Sequence, residues 1–388
     1  MNSYFFILGR NTTISISEIE SVLEKNIASR IMGKGFYIIE SKDELDLNEL
    51  QQTLGGTIKI GEIVLESEKE ITNYLKKNAG DKKLRFGINL YGCDLKPMQI
   101  KKQLKDAGIS SRLVESKEKT LSSVITQKEI LNKDGIELNC FKTDNKIFIG
   151  RTRTCQPFEE FSYRDWQRPA KDQASGMLPP KIAKIMINLA QADRNELLLD
   201  PFCGSGTILM EAALMGHNIL IGSDISEKAV TDTKKNFEWL DEQGLTKNKI
   251  DLKLFQTDIK ELDKYIEQNS IQTIVAEPFL GPPLKKEMEI DEIMKIKSDL
   301  EDMYVRSFQI FTKILKTSGC VVIIMPVFLQ KDNIYLEILD KIKKLGFTII
   351  DPIKHLDFDL PEMTERGGIL YSRPDQRVGR EIFVIKKQ

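Results

Sequence analysis

Eight residues, Asp200-Pro201-Phe202-Cys203-Gly204-Ser205-Gly206-Thr207, constrain the fold more than any other stretch of the chain. The apolar run Leu197-Leu198-Leu199 stands before them, and residues 208–215 carry apolar side chains at helical spacing up to Gly216. The pattern predicts a strand, a tight glycine turn and a helix. Glycine has no Cβ and tolerates positive φ, so such a turn lets a ligand approach bare backbone. It also directs amide groups at whatever binds there.

Three ligands compete for the turn. A phosphate cradle of the P-loop kind needs Gly-Lys-Ser/Thr, and Gly206 is followed by Thr207. A dinucleotide fingerprint needs a third glycine where this chain has Leu209. S-adenosylmethionine, an adenosine ligand without phosphates, makes other demands. A carboxylate after the second strand should hold the ribose hydroxyls, and a polar group after the third should read the adenine edge. Asp224 and Asp258 stand there. Singly, each also reads as a helix cap or a turn residue. Three acids at successive strand ends (Asp200, Asp224, Asp258) argue for the ligand.

From residue 197 onward strands and helices alternate, with strand signals at 197–199, 218–222, 252–256, 273–276, 320–326, 347–351 and 381–386. This predicts an α/β, doubly wound, mostly parallel sheet of seven strands with helices on both faces. Residues 1–65 read as a small α+β domain. Strands fall at 4–8, 36–39 and 58–65, with a helix capped by Ser15 or Ser17. Residues 66–155 carry strand signals at 84–90, 113–114, 122–125, 136–141 and 146–149, and a basic helix at 97–107. Residues 156–180 form a connector without clear periodicity. Its aromatic content predicts that it packs or lines a site. A length of 388 residues suits two or three domains.

The net charge of −1 conceals an asymmetry: residues 71–154 hold 18 Lys and Arg against 9 Asp and Glu, leaving −10 for the remainder. Such a block suits a polyanionic partner, or a solvated lysine-rich surface. No aromatic ladder for stacked single-stranded bases accompanies it, so a nucleic-acid partner would be read through backbone and shape. No run of 18 apolar residues occurs, and residues 4–8 read as a strand rather than a signal peptide, so a cytoplasmic protein is expected. Five scattered cysteines with no CxxC pair support neither a disulfide framework nor a zinc site. With only His217 and His355 present, a histidine base or metal centre is not expected.

The turn resembles the first motif of class I S-adenosylmethionine-dependent methyltransferases that act on base amines. The whole chain resembles the THUMP-containing RNA methylases, specifically the tRNA guanine-N2-methyltransferases that modify position 10. Ser162-Tyr163-Arg164-Asp165-Trp166-Gln167-Arg168-Pro169-Ala170-Lys171-Asp172 and Gly176-Met177-Leu178-Pro179-Pro180-Lys181 are similar to the stretch that this family places before its catalytic domain. The resemblance implies a ferredoxin-like domain at 1–65, a THUMP-type RNA-binding domain at 66–155 and a methyltransferase domain at 181–388. It implies that Met177, Leu178, Asp200, Phe202, Gly204, Gly206, Thr207, Asp224, Ile225 and Asp258 hold S-adenosylmethionine. It also implies that tRNA is the partner of the basic block.

In amino-methylating members of that fold the fourth strand ends in Asp/Asn-Pro-Pro-Tyr/Phe, which fixes the target amine and stacks on its base. This chain has Ala276-Glu277-Pro278-Phe279-Leu280-Gly281-Pro282-Pro283. Pro278 and Phe279 keep the register of the second proline and the aromatic. Ala276 stands where the acid should be, and Glu277, one methylene longer, replaces the first proline. Glu277 could reach the amine by a shifted backbone, serve another target or geometry, or mark a weakened site. The reading is therefore methyl transfer to a guanosine N2 of tRNA through Glu277, Pro278 and Phe279. Amino-methylation of another RNA base or of rRNA, adenine N6 included, is one alternative. An RNA-binding protein with a degenerate site is the other. A small partner subunit is neither required nor removed by the sequence.

Overall fold

A computed structural model describes residues 2–144, 146–171, 177–246, 248–282, 289–374 and 376–388. Asp172, Gly176 and Pro283, which belong to the stretches singled out above, lie outside the described residues. The chain divides into two compact units, Met1–Ile16 with Leu23–Glu160, and Ser17–Val22 with Phe161–Gln388.

The first unit is built on one sheet. Its elements are β1 (Asn2–Leu8), α1 (Thr12–Leu23), β2 (Ile27–Gly33), β3 (Phe36–Ser41), α2 (Leu47–Thr53), β4 (Thr57–Leu65), α3 (Ile71–Lys77), β5 (Leu84–Tyr91), α4 (Pro97–Asp106), β6 (Ser111–Leu113), α5 (Ser123–Ile125), β7 (Ile136–Lys142) and β8 (Ile147–Cys155). Its eight strands run in the order β2-β3-β1-β4-β8-β7-β5-β6. β4, which ends at residue 65, pairs antiparallel with β8, so one sheet continues across that position. Three local expectations differ. α1 begins ahead of Ser15 and Ser17, because Asn11 Oδ1 accepts the Ile14 amide at 3.0 Å. Residues 122–125, read as a strand, form a helical turn in which Ser122 Oγ accepts the Ile125 amide at 3.3 Å. The edge strand β2 is half-buried and mixed in polarity, so it carried no strand signal.

Apart from Ser17–Val22 of α1, the second unit begins inside the connector, within α6 (Phe158–Gln167), and continues through α7 (Pro180–Ala190). There follow β9 (Leu198–Asp200), α8 (Thr207–Leu214), β10 (Ile219–Asp224), α9 (Glu227–Glu242), β11 (Asp251–Gln256), β12 (Ile271–Ala276), α10 (Ile290–Ile314), β13 (Leu315–Phe328), β14 (Ile334–Tyr335), α11 (Leu339–Lys344), β15 (Phe347–Ile350), β16 (Ile369–Tyr371) and β17 (Val378–Lys387). Seven strands form the path β11-β10-β9-β12-β13-β17-β15, with short β14 and β16 added beside β13 and β17. The first five are parallel, and β17 is antiparallel to both neighbours. This is the doubly wound sheet the alternation predicts.

Burial explains the strand composition. Residues Cys320 to Phe328 of β13 are buried throughout, as befits a strand covered on both faces. Tyr304, Phe308 and Phe311 of α10 pack with Ile323, Met325 and Phe383 in one hydrophobic core. Strand order reverses between β9 and β12, whose registers pair Leu199 with Ile274. Their carboxyl ends, Asp200 and Ala276, therefore open side by side at the crevice where such sheets take ligands.

Candidate active site

The Asp200–Thr207 turn is tied to its surroundings by backbone and side chain. Cys203 N donates to Ser223 O at 2.9 Å, and Gly206 N to Cys203 O at 2.7 Å. Asp224 Oδ2 accepts the Gly204 amide at 3.0 Å while its Oδ1 accepts the Ser226 amide at 2.9 Å. Thr233 Oγ1 donates to Gly204 O at 2.8 Å, and Asn236 Nδ2 donates to Ser205 O at 2.8 Å. Gly204 and Gly206 both have positive φ, +52° and +84°. Their surroundings differ. A Cβ on Gly206 would come within 2.9 Å of Thr233 Cγ2, whereas one on Gly204 would meet nothing within 4 Å.

The connector packs onto this turn. Ala170 exchanges two hydrogen bonds with the Asn236 amide group, both at 3.0 Å. Arg168 Nη1 donates to Thr207 Oγ1 at 2.7 Å, and its Nη2 lies 2.8 Å from Met177 Sδ. Arg164 of α6 and Glu211 of α8 form a buried ion pair at 2.8 Å.

A cleft of about 760 Å³ opens over the turn. It gathers most of the residues expected from the sequence: Met177, Leu178, Asp200, Phe202, Gly204, Thr207, Asp224, Ile225, Asp258, Glu277, Pro278 and Phe279. Gly206 is in the turn but faces Thr233 rather than the cleft wall. Ile225, after β10, and Phe279, after β12, are exposed apolar side chains that line the cleft. Asp258 accepts the Lys260 amide at 3.0 Å and caps a short 3-10 helix, so a cap and a cleft residue coincide in one side chain.

The acids are not equivalent. Asp200 is fully buried, and its carboxylate accepts the Phe202 amide at 3.1 Å. Burial pushes its carboxyl well above the usual range, and the charges of Asp224 and Glu277 add to this. Glu277 is the first residue beyond β12. Its Oε1 accepts a hydrogen bond from Arg380 Nε at 2.6 Å, with both side chains largely buried. Burial raises the Glu277 carboxyl, and the Arg380 guanidinium opposes that rise.

Arg380, Arg168 and Asn236 had no assigned role in the sequence reading. Arg380 had a signal: it and Glu381 are opposite charges directly before the apolar run Ile382-Phe383-Val384-Ile385 of the same strand. Period-two alternation sends them to opposite faces. Arg380 meets Glu277, and Glu381 meets Arg366 at 3.2 Å.

Among the described residues, no helix is long and apolar enough to cross a membrane, and no cluster of three His, Cys, Asp or Glu side chains could hold a metal ion.

Strand order and the cleft at the β9–β12 switch define the fold as that of a class I S-adenosylmethionine-dependent methyltransferase. TrmN from Thermus thermophilus has the same fold, with a TM-score of 0.53 at 14% identity over 100% of both chains. Residues 166–331 match the RMKL-like methyltransferase-domain family, and residues 66–235 match a DNA methylase family. The chain is similar to the tRNA (guanine(10)-N2)-dimethyltransferase of Methanocaldococcus jannaschii, at 31% identity over 42% of this chain and 46% of that protein. A Methanothermococcus thermolithotrophicus member of the same group is 35% identical over 31% of this chain and 72% of its own length. The chain thus spans less than half the length of the first of these relatives and nearly three quarters of the second. It belongs to the tRNA (guanine-N2) methyltransferase family.

Proposed function

We propose that this chain transfers a methyl group from S-adenosylmethionine to the exocyclic N2 amine of a guanosine in tRNA. The observation that carries the reading is the meeting, in one cleft, of the Asp200–Thr207 turn and the Glu277-Pro278-Phe279 corner. The relatives, one named a tRNA (guanine(10)-N2)-dimethyltransferase and the other a probable one, support the base and the RNA.

The residues present fit the cofactor. Open space over Gly204 leaves room for a ligand against bare backbone. Asp224 is anchored by two amides, yet a carboxylate has four lone-pair sites, so it keeps acceptor capacity for ribose hydroxyls. Asp258 is placed to read the adenine edge, with Ile225, Phe202, Met177 and Leu178 as apolar walls and Thr207 held by Arg168. When bound, the cofactor supplies an electrophilic sulfonium methyl group.

The rest belongs to this chain. A guanine amine is a poor nucleophile because its lone pair is delocalised into the ring. Glu277, as an ionised carboxylate, accepts an N–H of that amine and aims its lone pair. Phe279, 55% exposed on the cleft wall, offers a face on which the extruded base stacks. The gain is positioning and electrostatics.

The domain assignment belongs to the same proposal, with the THUMP-type region at 66–155 holding RNA beside a ferredoxin-like region at 1–65. Its motive is a depression of about 350 Å³ lined by Lys83, Lys101, Lys102 and Lys105. A backbone-reading surface of this kind binds with a steep salt dependence.

Labelled methyl transfer to bulk tRNA, followed by nucleoside analysis, tests the proposal. Label in N2-methylguanosine supports it, and label confined to adenosine favours the alternative base.

A further inference from the structure

We infer that Arg380 is the positioning residue for Glu277, fixing one carboxylate oxygen so that the other faces the target amine. The inference rests on the methyl transfer proposed above.

Glu277 and Arg380 come from chain segments 103 residues apart. β17 carries Arg380 into the middle of the sheet, opposite Pro326 of β13, and β13 lies beside β12. The guanidinium therefore reaches the corner that follows β12 from beneath, on rigid strand backbone. Both residues line the cleft. The bond uses Arg380 Nε and Glu277 Oε1 only. Among the described residues, Glu277 Oε2 has no hydrogen-bond partner, and it is not among the polar atoms sealed from solvent. One oxygen is thus held, and the other is unpaired on a side chain that lines the cleft.

The arrangement also accounts for the departure of this corner from the family pattern. The acid stands one residue beyond the strand end and is one methylene longer. The added reach is used to meet an arginine on β17. An acid there without a partner would be a buried charge, which is costly. Asp200, on the neighbouring strand end, and Tyr304 of α10, whose hydroxyl donates to Ile324 O at 2.9 Å, also sense the Glu277 charge. Neither supplies positive charge, so Arg380 is the group that favours the ionised carboxylate.

The test compares Arg380→Gln and Arg380→Lys with the unaltered chain, using tRNA and S-adenosylmethionine across mildly acidic to alkaline pH. Arg380→Gln should lower kcat on the order of 10²-fold, because the acceptor loses its fixed geometry, with little change in KM for tRNA. It should also move the acid limb of the rate profile to higher pH, since the group that lowers the Glu277 carboxyl is gone. Arg380→Lys should restore part of both. In a Glu277→Gln background, Arg380→Gln should cause no further loss, whereas a purely structural role would add its own cost. Affinity for S-adenosylhomocysteine and thermal unfolding report whether each variant is folded. Should Arg380→Gln not fold, Arg380→Lys decides the matter: an intermediate acid limb supports the inference and an unmoved one overturns it. A wild-type kcat and acid limb in Arg380→Gln overturn the inference alone. Failure of the unaltered chain to form N2-methylguanosine overturns the function and the inference together.

Discussion

Asp224 Oδ2 accepts the amide of Gly204 at 3.0 Å, joining the end of β10 to the glycine turn after β9. One carboxylate thereby sets the loop and stands ready for a ribose. Replacing it removes two charge-assisted hydrogen bonds that hold backbone amides. Asp224→Ala should weaken S-adenosylhomocysteine binding by about 1.5–3 kcal/mol, roughly 10- to 150-fold in Kd. Titration calorimetry checks this, and an unchanged affinity would contradict the role.

The two glycines of the turn should fail differently. Both have positive φ, so alanine at either costs about 1–2 kcal/mol. At Gly204 the new methyl enters open cleft, and the variant should fold yet lose cofactor affinity. At Gly206 it collides with Thr233, and the unfolding temperature should drop further. Thermal unfolding with and without S-adenosylhomocysteine separates the two.

In the first unit, Lys59 and Glu137 form an ion pair at 2.8 Å with exposures of 2% and 0%. Lys59 also donates to Leu121 O at 2.7 Å and to Thr126 Oγ1 at 2.8 Å, tying residues 121–126 to the sheet. Lys59→Met leaves Glu137 buried without its counter-charge and should cost about 3–5 kcal/mol in urea unfolding. Lys59→Met combined with Glu137→Leu should recover much of that loss. A single variant as stable as the parent would contradict this account of the network.

How far all this was legible depended on sequence separation. The turn, Asp224 and Asp258 follow strands whose apolar patterns are local, so their places could be read directly. The Glu277–Arg380 pair arises from β17 entering antiparallel beside β13, a pairing that no local pattern announces. Residues 122–125 show the opposite failure. Their β-branched composition suits a strand, but the Ser122 cap and the packing of Ile130 beneath them select a helical turn. Connector residues 158–167 hid a helix because Phe161 and Arg164 are its only buried side chains, too few for a clear period.

Stability should depend on pH through His217. Burial, with help from Arg194, lowers its pKa to about 4, and among the described residues Nδ1 has no hydrogen-bond partner. The unfolded chain takes up a proton near pH ~6.5, before the folded one does. Stability is therefore full above that value and falls as pH drops toward 4, by on the order of 3 kcal/mol. Urea unfolding at a series of pH values should show the decline, and His217→Leu should flatten it.

The central claim is that the Glu277 corner presents a guanine amine to the cofactor site. Its most direct test is nucleoside mass spectrometry of tRNA after incubation with the chain and isotopically labelled S-adenosylmethionine, with Glu277→Ala in parallel. The account predicts labelled N2-methylguanosine with the unaltered chain, and its loss in Glu277→Ala at unchanged S-adenosylhomocysteine affinity. Full transfer by Glu277→Ala, label on adenine, or no label from a chain that binds the cofactor would contradict it.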